Sequence, residues 1–100
     1  MGKFSGTDGV GLPWYRREDY PRILTVMADN YDLPRSFDEW EKRAHEAVKF
    51  VVREGGKPVR VEVKPDKFIT YCSLRGLNVD AHGRQMFAAD PANWPASNKH

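Results

Sequence analysis

The chain has 100 residues, of which 40% are hydrophobic and 30% are charged, a size and polarity that indicate one small domain and exclude a membrane-spanning protein. Its 16 basic and 14 acidic residues alternate along the chain and leave a net charge of +2, so no basic block points to a nucleic-acid partner. A lone cysteine and the absence of a signal-peptide pattern at the start predict a cytoplasmic location.

Residues 1–12 predict a flexible N-terminal arm. They include four glycines and show almost no apolar periodicity, so they can bury too little surface to offset the entropy lost on ordering. We therefore expect a single globular domain at residues 13–90 and a mobile tail at residues 91–100.

The first periodic segment, residues 18–29, favours a helix. Its apolar residues recur at positions i, i+3, i+4 and i+7, namely Tyr20, Ile23, Leu24 and Met27. Residues 23–27 are also rich in β-branched side chains, and this leaves a short strand as the alternative. In that case the chain would contain a parallel strand pair.

A second helix is predicted over residues 36–54. Ser36 and Glu39 form a capping box at its start, and Gly55 with Gly56 ends it. Its apolar stripe excludes Phe50, which falls among charged residues. A large aromatic there needs a second surface to cover it.

Residues 57–63 alternate as a half-buried strand, with three valines on one face and Arg60 and Glu62 on the other. If this strand is single, its unpaired edge needs a partner, and we expect pairing with a second copy in a homodimer. Candidate partner-binding residues are therefore Phe50, Val59, Arg60 and Val61.

Two further helices are predicted, from Pro65 to Gly76 and over residues 79–89, the latter capped by Asn78. The inner face of the last helix is expected to consist of Val79, His82, Met86 and Ala89. The predicted fold is α+β and mostly helical, with the order α-α-β-α-α and one short strand. The alternative order is β-α-β-α-α with a two-stranded parallel sheet.

No group of residues in the sequence predicts a catalytic or metal-binding site. The three histidines and Cys72 are scattered singly, without metal-ligand spacing, and Cys72 falls late on an apolar helix face, where the helix dipole does not favour a thiolate. We expect no catalytic residue, metal or cofactor. An enzyme that uses His82 or Cys72 between the last two helices is the third-ranked hypothesis.

A protein-interaction or regulatory module is the favoured function, with the chain itself or another protein as partner. Nucleic-acid binding is the alternative, because Trp14 adjoins Arg16 and Arg17, and further basic residues cluster near the strand, namely Arg53, Lys57, Arg60, Lys64 and Lys67. Acidic residues interrupt both groups, so this function is not favoured.

Short motifs spread over residues 14–89 resemble those of a group of small uncharacterised bacterial proteins. The motifs include Asp19-Tyr20-Pro21, Ser36-Phe37-Asp38-Glu39-Trp40, Val59-Arg60-Val61-Glu62-Val63 and Pro65-Asp66-Lys67-Phe68. The resemblance implies a compact bacterial single domain and assigns no activity or functional residue.

Overall fold

The computed structural model describes residue 4 and residues 9–95, which form two strands and four α-helices joined by short 3₁₀ turns. The elements in chain order are β1 (Gly9–Trp14), α1 (Tyr20–Val26), α2 (Phe37–Arg53), β2 (Lys57–Glu62), α3 (Pro65–Arg75) and α4 (Ala81–Ala89). The predicted α+β, mostly helical fold is confirmed. None of the helices in these residues is long and apolar enough to cross a bilayer.

The two strands form a parallel sheet whose register runs from Gly9 opposite Lys57 to Trp14 opposite Glu62. The two-stranded parallel sheet of the alternative order is thus present, but its first strand is β1, whereas residues 23–26 are helical, as the apolar spacing favoured. Residues 9–12, which we assigned to a flexible arm, are strand residues because their backbone supplies the hydrogen bonds that β2 requires. The rest of that arm, apart from Phe4, lies outside the described residues.

Glycine is required in β1 because α4 ends directly against it. A Cβ atom at Gly11 would overlap the carbonyl group of Ala88, and one at Gly9 would collide with the indole ring of Trp94. The same two glycines that weakened the sequence pattern of a strand therefore permit the close approach of a helix.

Helices pack against both faces of the sheet, although Arg60 and Glu62 of β2 stay exposed. On one face, Val59, Val61 and Val63 are buried, and the core continues into the other helices through Ile23, Tyr20, Phe68, Cys72, Phe87 and Ala88. On the other face, the ring of Trp14 packs against Trp40 of α2, with the ring centres 5.3 Å apart. The predicted alternation of β2 between a buried valine face and an exposed charged face is confirmed.

Helix α2 begins and ends where its sequence indicates. The hydroxyl of Ser36 accepts a hydrogen bond from the N–H of Glu39 (3.2 Å), and Gly55 follows the helix with a φ of 90°. That left-handed conformation favours glycine because it has no Cβ.

Helix α4 differs from its prediction in its cap and in its inner face. Asp80, and not Asn78, caps the helix by accepting a hydrogen bond from the N–H of Gly83 (3.1 Å). The buried residues are Gly83, Arg84, Phe87 and Ala88. His82, Met86 and Ala89, which we expected inside, are exposed, because the buried face includes an arginine that the apolar pattern could not assign to the core.

Residues 91–95, which we assigned to the mobile tail, continue the packed structure, with a 3₁₀ turn at Pro91–Asn93. The indole N–H of Trp94 donates to the carbonyl of Ala88 (2.8 Å), and the side-chain amide of Asn93 donates to the carbonyl of Phe87 (2.9 Å). These bonds satisfy carbonyls at the end of α4, so the segment is held against that helix. Residues 96–100 lie outside the described part of the chain.

Candidate functional site

The outer edge of β2 carries backbone groups that the sheet does not use. The N–H of Val63 donates to the carbonyl of Trp14 (2.9 Å), and in a parallel ladder such bonds recur at every second residue. The backbone groups of Val59 and Val61 therefore face β1, whereas those of Arg60 and Glu62 face away from it. No third strand among residues 9–95 pairs with this edge.

Pro58 lies at a position of β2 whose N–H is not needed for pairing with β1. By the same alternation, Pro58 lies at the outer edge of β2, where its missing N–H removes no bond to β1. The outer edge thus offers two backbone donors, the N–H groups of Arg60 and Glu62, and the carbonyl acceptors of Pro58, Arg60 and Glu62.

A cavity of about 420 Å³ lies beside this edge. Its lining includes Arg60 and Glu62 from β2 but neither of the strand's buried valines. The cavity therefore borders the alternate residues whose backbone is unpaired. Its volume falls within the range of ordinary ligand pockets.

The charged wall of the cavity is basic. It contains the exposed side chains of Arg60, Lys64 and Lys67, and none of them takes part in an ion pair within residues 9–95. The guanidinium of Arg60 lies 4.3 Å from the centre of the Trp14 ring, which supports it from below. Glu62 is the one acidic side chain among the described residues of the lining, and its carboxylate is 3.5 Å from Nε of Arg16.

The opposite wall is apolar and comes from the end of α4 and the segment after it. It includes Phe87, Ala92, Trp94 and Pro95. Phe87 is fixed by edge-to-face contacts with Phe68 and Tyr71, whose ring centres lie 5.5 and 5.0 Å away. Trp94 is fixed by its hydrogen bond to Ala88. Because both aromatic rings are held by other groups, the wall is preformed.

The aromatic and arginine residues predicted for nucleic-acid binding are engaged within the chain. Trp14 stacks on His45, with ring centres 5.7 Å apart, in addition to its contact with α2. Arg16 pairs with Glu18 (2.8 Å), and Arg17 pairs with Asp38 (2.8 Å) and lies over the ring of Phe37. These residues do not line the cavity.

The structure buries some of the residues predicted for strand pairing and leaves others exposed. Val59 and Val61 are buried in the core, so their side chains offer a partner no surface, and their backbone groups already bond to β1. Arg60 remains at the exposed edge. The expectation that β2 lacks a partner in its own chain is wrong, because β2 pairs with β1. Its outer edge has no partner strand among residues 9–95.

Phe50 lies apart from this edge, near the end of α2, and is 37% exposed. It meets the ring of Phe4 edge to face at 6.5 Å, and Arg53 lies 5.7 Å from its centre. The backbone N–H of Phe4 also donates to the carbonyl of Glu54 (3.0 Å). The second surface that Phe50 needs is thus supplied in part by the N-terminal segment.

Within residues 9–95 and residue 4, no group of three or more potential metal ligands occurs. Cys72 is buried, and burial raises the pKa of its thiol, whereas His82 is exposed. Neither residue lines the cavity. The structure therefore does not bring these two residues together at the cavity.

One buried ionic group was not foreseen. The guanidinium of Arg84 donates to both carboxylate oxygens of Asp29 (2.8 and 2.9 Å) and contacts the sulfur of Met27 (3.3 Å). The hydrogen bond from Arg84 lowers the pKa of Asp29 below its ordinary value despite burial. The pair connects the segment after α1 to α4. It offers no free group to a ligand, because every buried side-chain N or O atom of the described residues has a hydrogen-bond partner.

Comparison of the chain with protein-family models, with curated proteins and with solved structures finds no match in any of the three. The resemblance to small bacterial proteins therefore remains a prediction. The site has to be interpreted from its own geometry.

Sequence reasoning identified the basic half of this site and missed the aromatic half. Arg60, Lys64 and Lys67 were visible as a cluster around the strand. Phe87 and Trp94 were not, since one falls in a helix whose buried face was misassigned and the other in a segment expected to be mobile. A tryptophan between two prolines is a signal that the segment packs onto the domain.

Proposed function

We propose that this protein is a cytoplasmic protein-interaction module without catalytic activity, which binds an extended segment of another protein along the outer edge of β2. The observation that carries the proposal is the unpaired backbone of Arg60 and Glu62 beside a preformed cavity. Added strands gain affinity from main-chain hydrogen bonds and specificity from pockets for alternate side chains.

An extended segment fits this edge better than a nucleic acid does. The exposed donors are backbone N–H groups in strand geometry, and they suit peptide carbonyls spaced along a neighbouring strand. Base stacking needs free aromatic faces, but Trp14 is covered by His45 and Arg60. Arg16 and Arg17, the arginines predicted to act with Trp14, are paired with Glu18 and Asp38.

A partner protein is also favoured over a second copy. Pairing two β2 edges would bring together two surfaces of the same net sign, because the described lining of each cavity carries Arg60, Lys64 and Lys67 against one carboxylate, that of Glu62. Repulsion between these like charges opposes such a dimer.

The proposal is tested by titrating the full chain, labelled for amide NMR, with a capped neutral peptide of alternating Thr and Val. We expect the largest shifts at the amides of Arg60 and Glu62, and slower exchange of those two protons in the complex. Glu62→Pro removes one outward donor and should weaken binding about fivefold, the worth of one hydrogen bond.

Glu62→Gln is the matched control, because it keeps the backbone N–H, and it should bind as the unaltered chain does. Circular dichroism establishes that Glu62→Pro is folded. Binding that is unaffected by Glu62→Pro, or shifts centred elsewhere, would contradict the proposal. A dimer of the free chain that Glu62→Pro dissociates would also contradict it and would make a second copy the occupant.

A further inference from the structure

We infer that the segment bound at the β2 edge is acidic and alternating, with Asp or Glu on one face and apolar side chains on the other. This inference rests on the proposed function and specifies its partner. The observation behind it is that the cavity beside this edge has a basic wall on one side and an apolar, aromatic wall on the other.

The acidic preference follows from charge. Arg60, Lys64 and Lys67 meet no acidic partner within the described residues, and the cavity's only carboxylate, that of Glu62, already faces Arg16. An occupant with carboxylates would neutralise the excess positive charge, whereas a basic occupant would add to it. Charges at the rim of an interface act mainly on partner choice and association rate.

The alternation follows from the two faces of the sheet. In the parallel register, Val59 shares a face with Gly11, and α4 and Trp94 pack on that face. Arg60 lies on the opposite face, over Trp14. Successive side chains of an added strand point to opposite faces, so they would alternately meet the apolar wall of Phe87 and Trp94 and the cation of Arg60.

The end of β2 extends the basic surface. Lys64 follows the strand directly, and Lys67 lies in the first turn of α3. A strand added along Arg60 and Glu62 and continuing past the end of β2 would therefore meet these two lysines. Carboxylates at that end of the segment gain the most from them.

The test compares three capped peptides that differ only in their alternate residue, Glu-Val, Thr-Val and Lys-Val repeats, in titrations of the full chain. We expect the Glu-Val peptide to bind about tenfold more tightly than the Thr-Val peptide at low salt, and the Lys-Val peptide to bind most weakly. The Glu-Val advantage should shrink as salt screens the rim charges.

Variants assign the preference to its residues. The double substitution Lys64→Glu and Lys67→Glu should abolish the tenfold advantage of Glu-Val over Thr-Val. Lys42→Glu, an exposed charge reversal on α2 away from the cavity lining, is the matched control and should leave the advantage intact.

The outcomes separate the two proposals. Equal affinity for Glu-Val and Thr-Val, both weakened by Glu62→Pro, would overturn the acidic preference and leave the proposed function standing. Absence of binding by every peptide would overturn both. Displacement of the Glu-Val peptide by a short single-stranded oligonucleotide at equal concentration would overturn the acidic segment in favour of a nucleic acid.

Discussion

Arg84 of α4 and Asp29, which follows α1, form a bidentate ion pair in which both side chains are about nine-tenths buried. Each group satisfies the charge of the other, so neither is tolerated alone in its site. We expect Asp29→Ala to lower the free energy of unfolding by about 3 kcal/mol, because it leaves a guanidinium buried without a partner.

Urea denaturation measures this loss. Asp38→Ala is the matched control, since it removes the partner of Arg17 from an exposed pair and should cost about 0.5 kcal/mol or less. A similar loss in both variants would contradict the importance of burial.

The same pair makes stability depend on pH. Because the pKa of Asp29 is lower in the folded chain than its ordinary value, which is about 3.9, its carboxylate stabilises the fold fully above that ordinary value. The contribution is lost as the pH falls through the lower, folded pKa. We expect the stability gap between the unaltered chain and Asp29→Asn to narrow below about pH 4, as followed by urea midpoints; a constant gap would contradict this.

Gly11→Ala tests the close approach of α4 to β1. The added methyl group would overlap the Ala88 carbonyl, which also accepts the hydrogen bond of Trp94. Either the helix end shifts or the indole loses its acceptor, so we expect a loss of about 1–3 kcal/mol and a red shift of tryptophan emission. Unchanged stability and emission would show that the contact is looser than the structure indicates.

The contact between Phe4 and Phe50 is measured by a double-mutant cycle. Their rings meet edge to face, and such pairs contribute about 0.5–1.5 kcal/mol beyond the area that they bury. We expect Phe4→Ala and Phe50→Ala to be less than additive by this amount in thermal or urea unfolding. Strict additivity would mean that the two rings do not stabilise each other.

The alternation of β2 predicts different losses of stability for proline substitutions at two neighbouring positions. Val61→Pro removes a donor to β1 and a buried side chain, and it should prevent folding or cost about 3 kcal/mol or more. Glu62→Pro removes an outward donor and an exposed ion pair with Arg16, and it should cost about 1 kcal/mol or less. Thermal unfolding followed by circular dichroism compares the two, and equal losses would mean that the register differs.

The middle of the chain was predictable because its signals are local. The cap at Ser36, the valine alternation of β2 and the glycine after α3 each act within one or two turns of backbone. Gly76 ends α3 with a φ of 67°, as its sequence position indicated. Local propensity and global fold agree at these residues.

The rest depends on partners far apart in the sequence. β1 was missed because it contributes backbone bonds and glycine contacts more than an apolar pattern, and glycine is poorly suited to strands in general. The inner face of α4 was misassigned because burying Arg84 is favourable only with Asp29, 55 residues earlier. The candidate site was therefore predictable only in part, since its basic wall is local to β2 and its aromatic wall comes from the other end of the chain.

The parallel pairing of β1 with β2 also constrains how the protein is made. Gly9 meets Lys57 only across the intervening α1 and α2, so a chain emerging from the ribosome cannot close its sheet until β2 has been synthesised. Until then, the glycine-rich strand has no ladder and the valines have not yet appeared. Folding is therefore expected to wait for the second half of the chain and to be slower than that of a helical bundle of equal size, because distant contacts require the costly closure of a long loop.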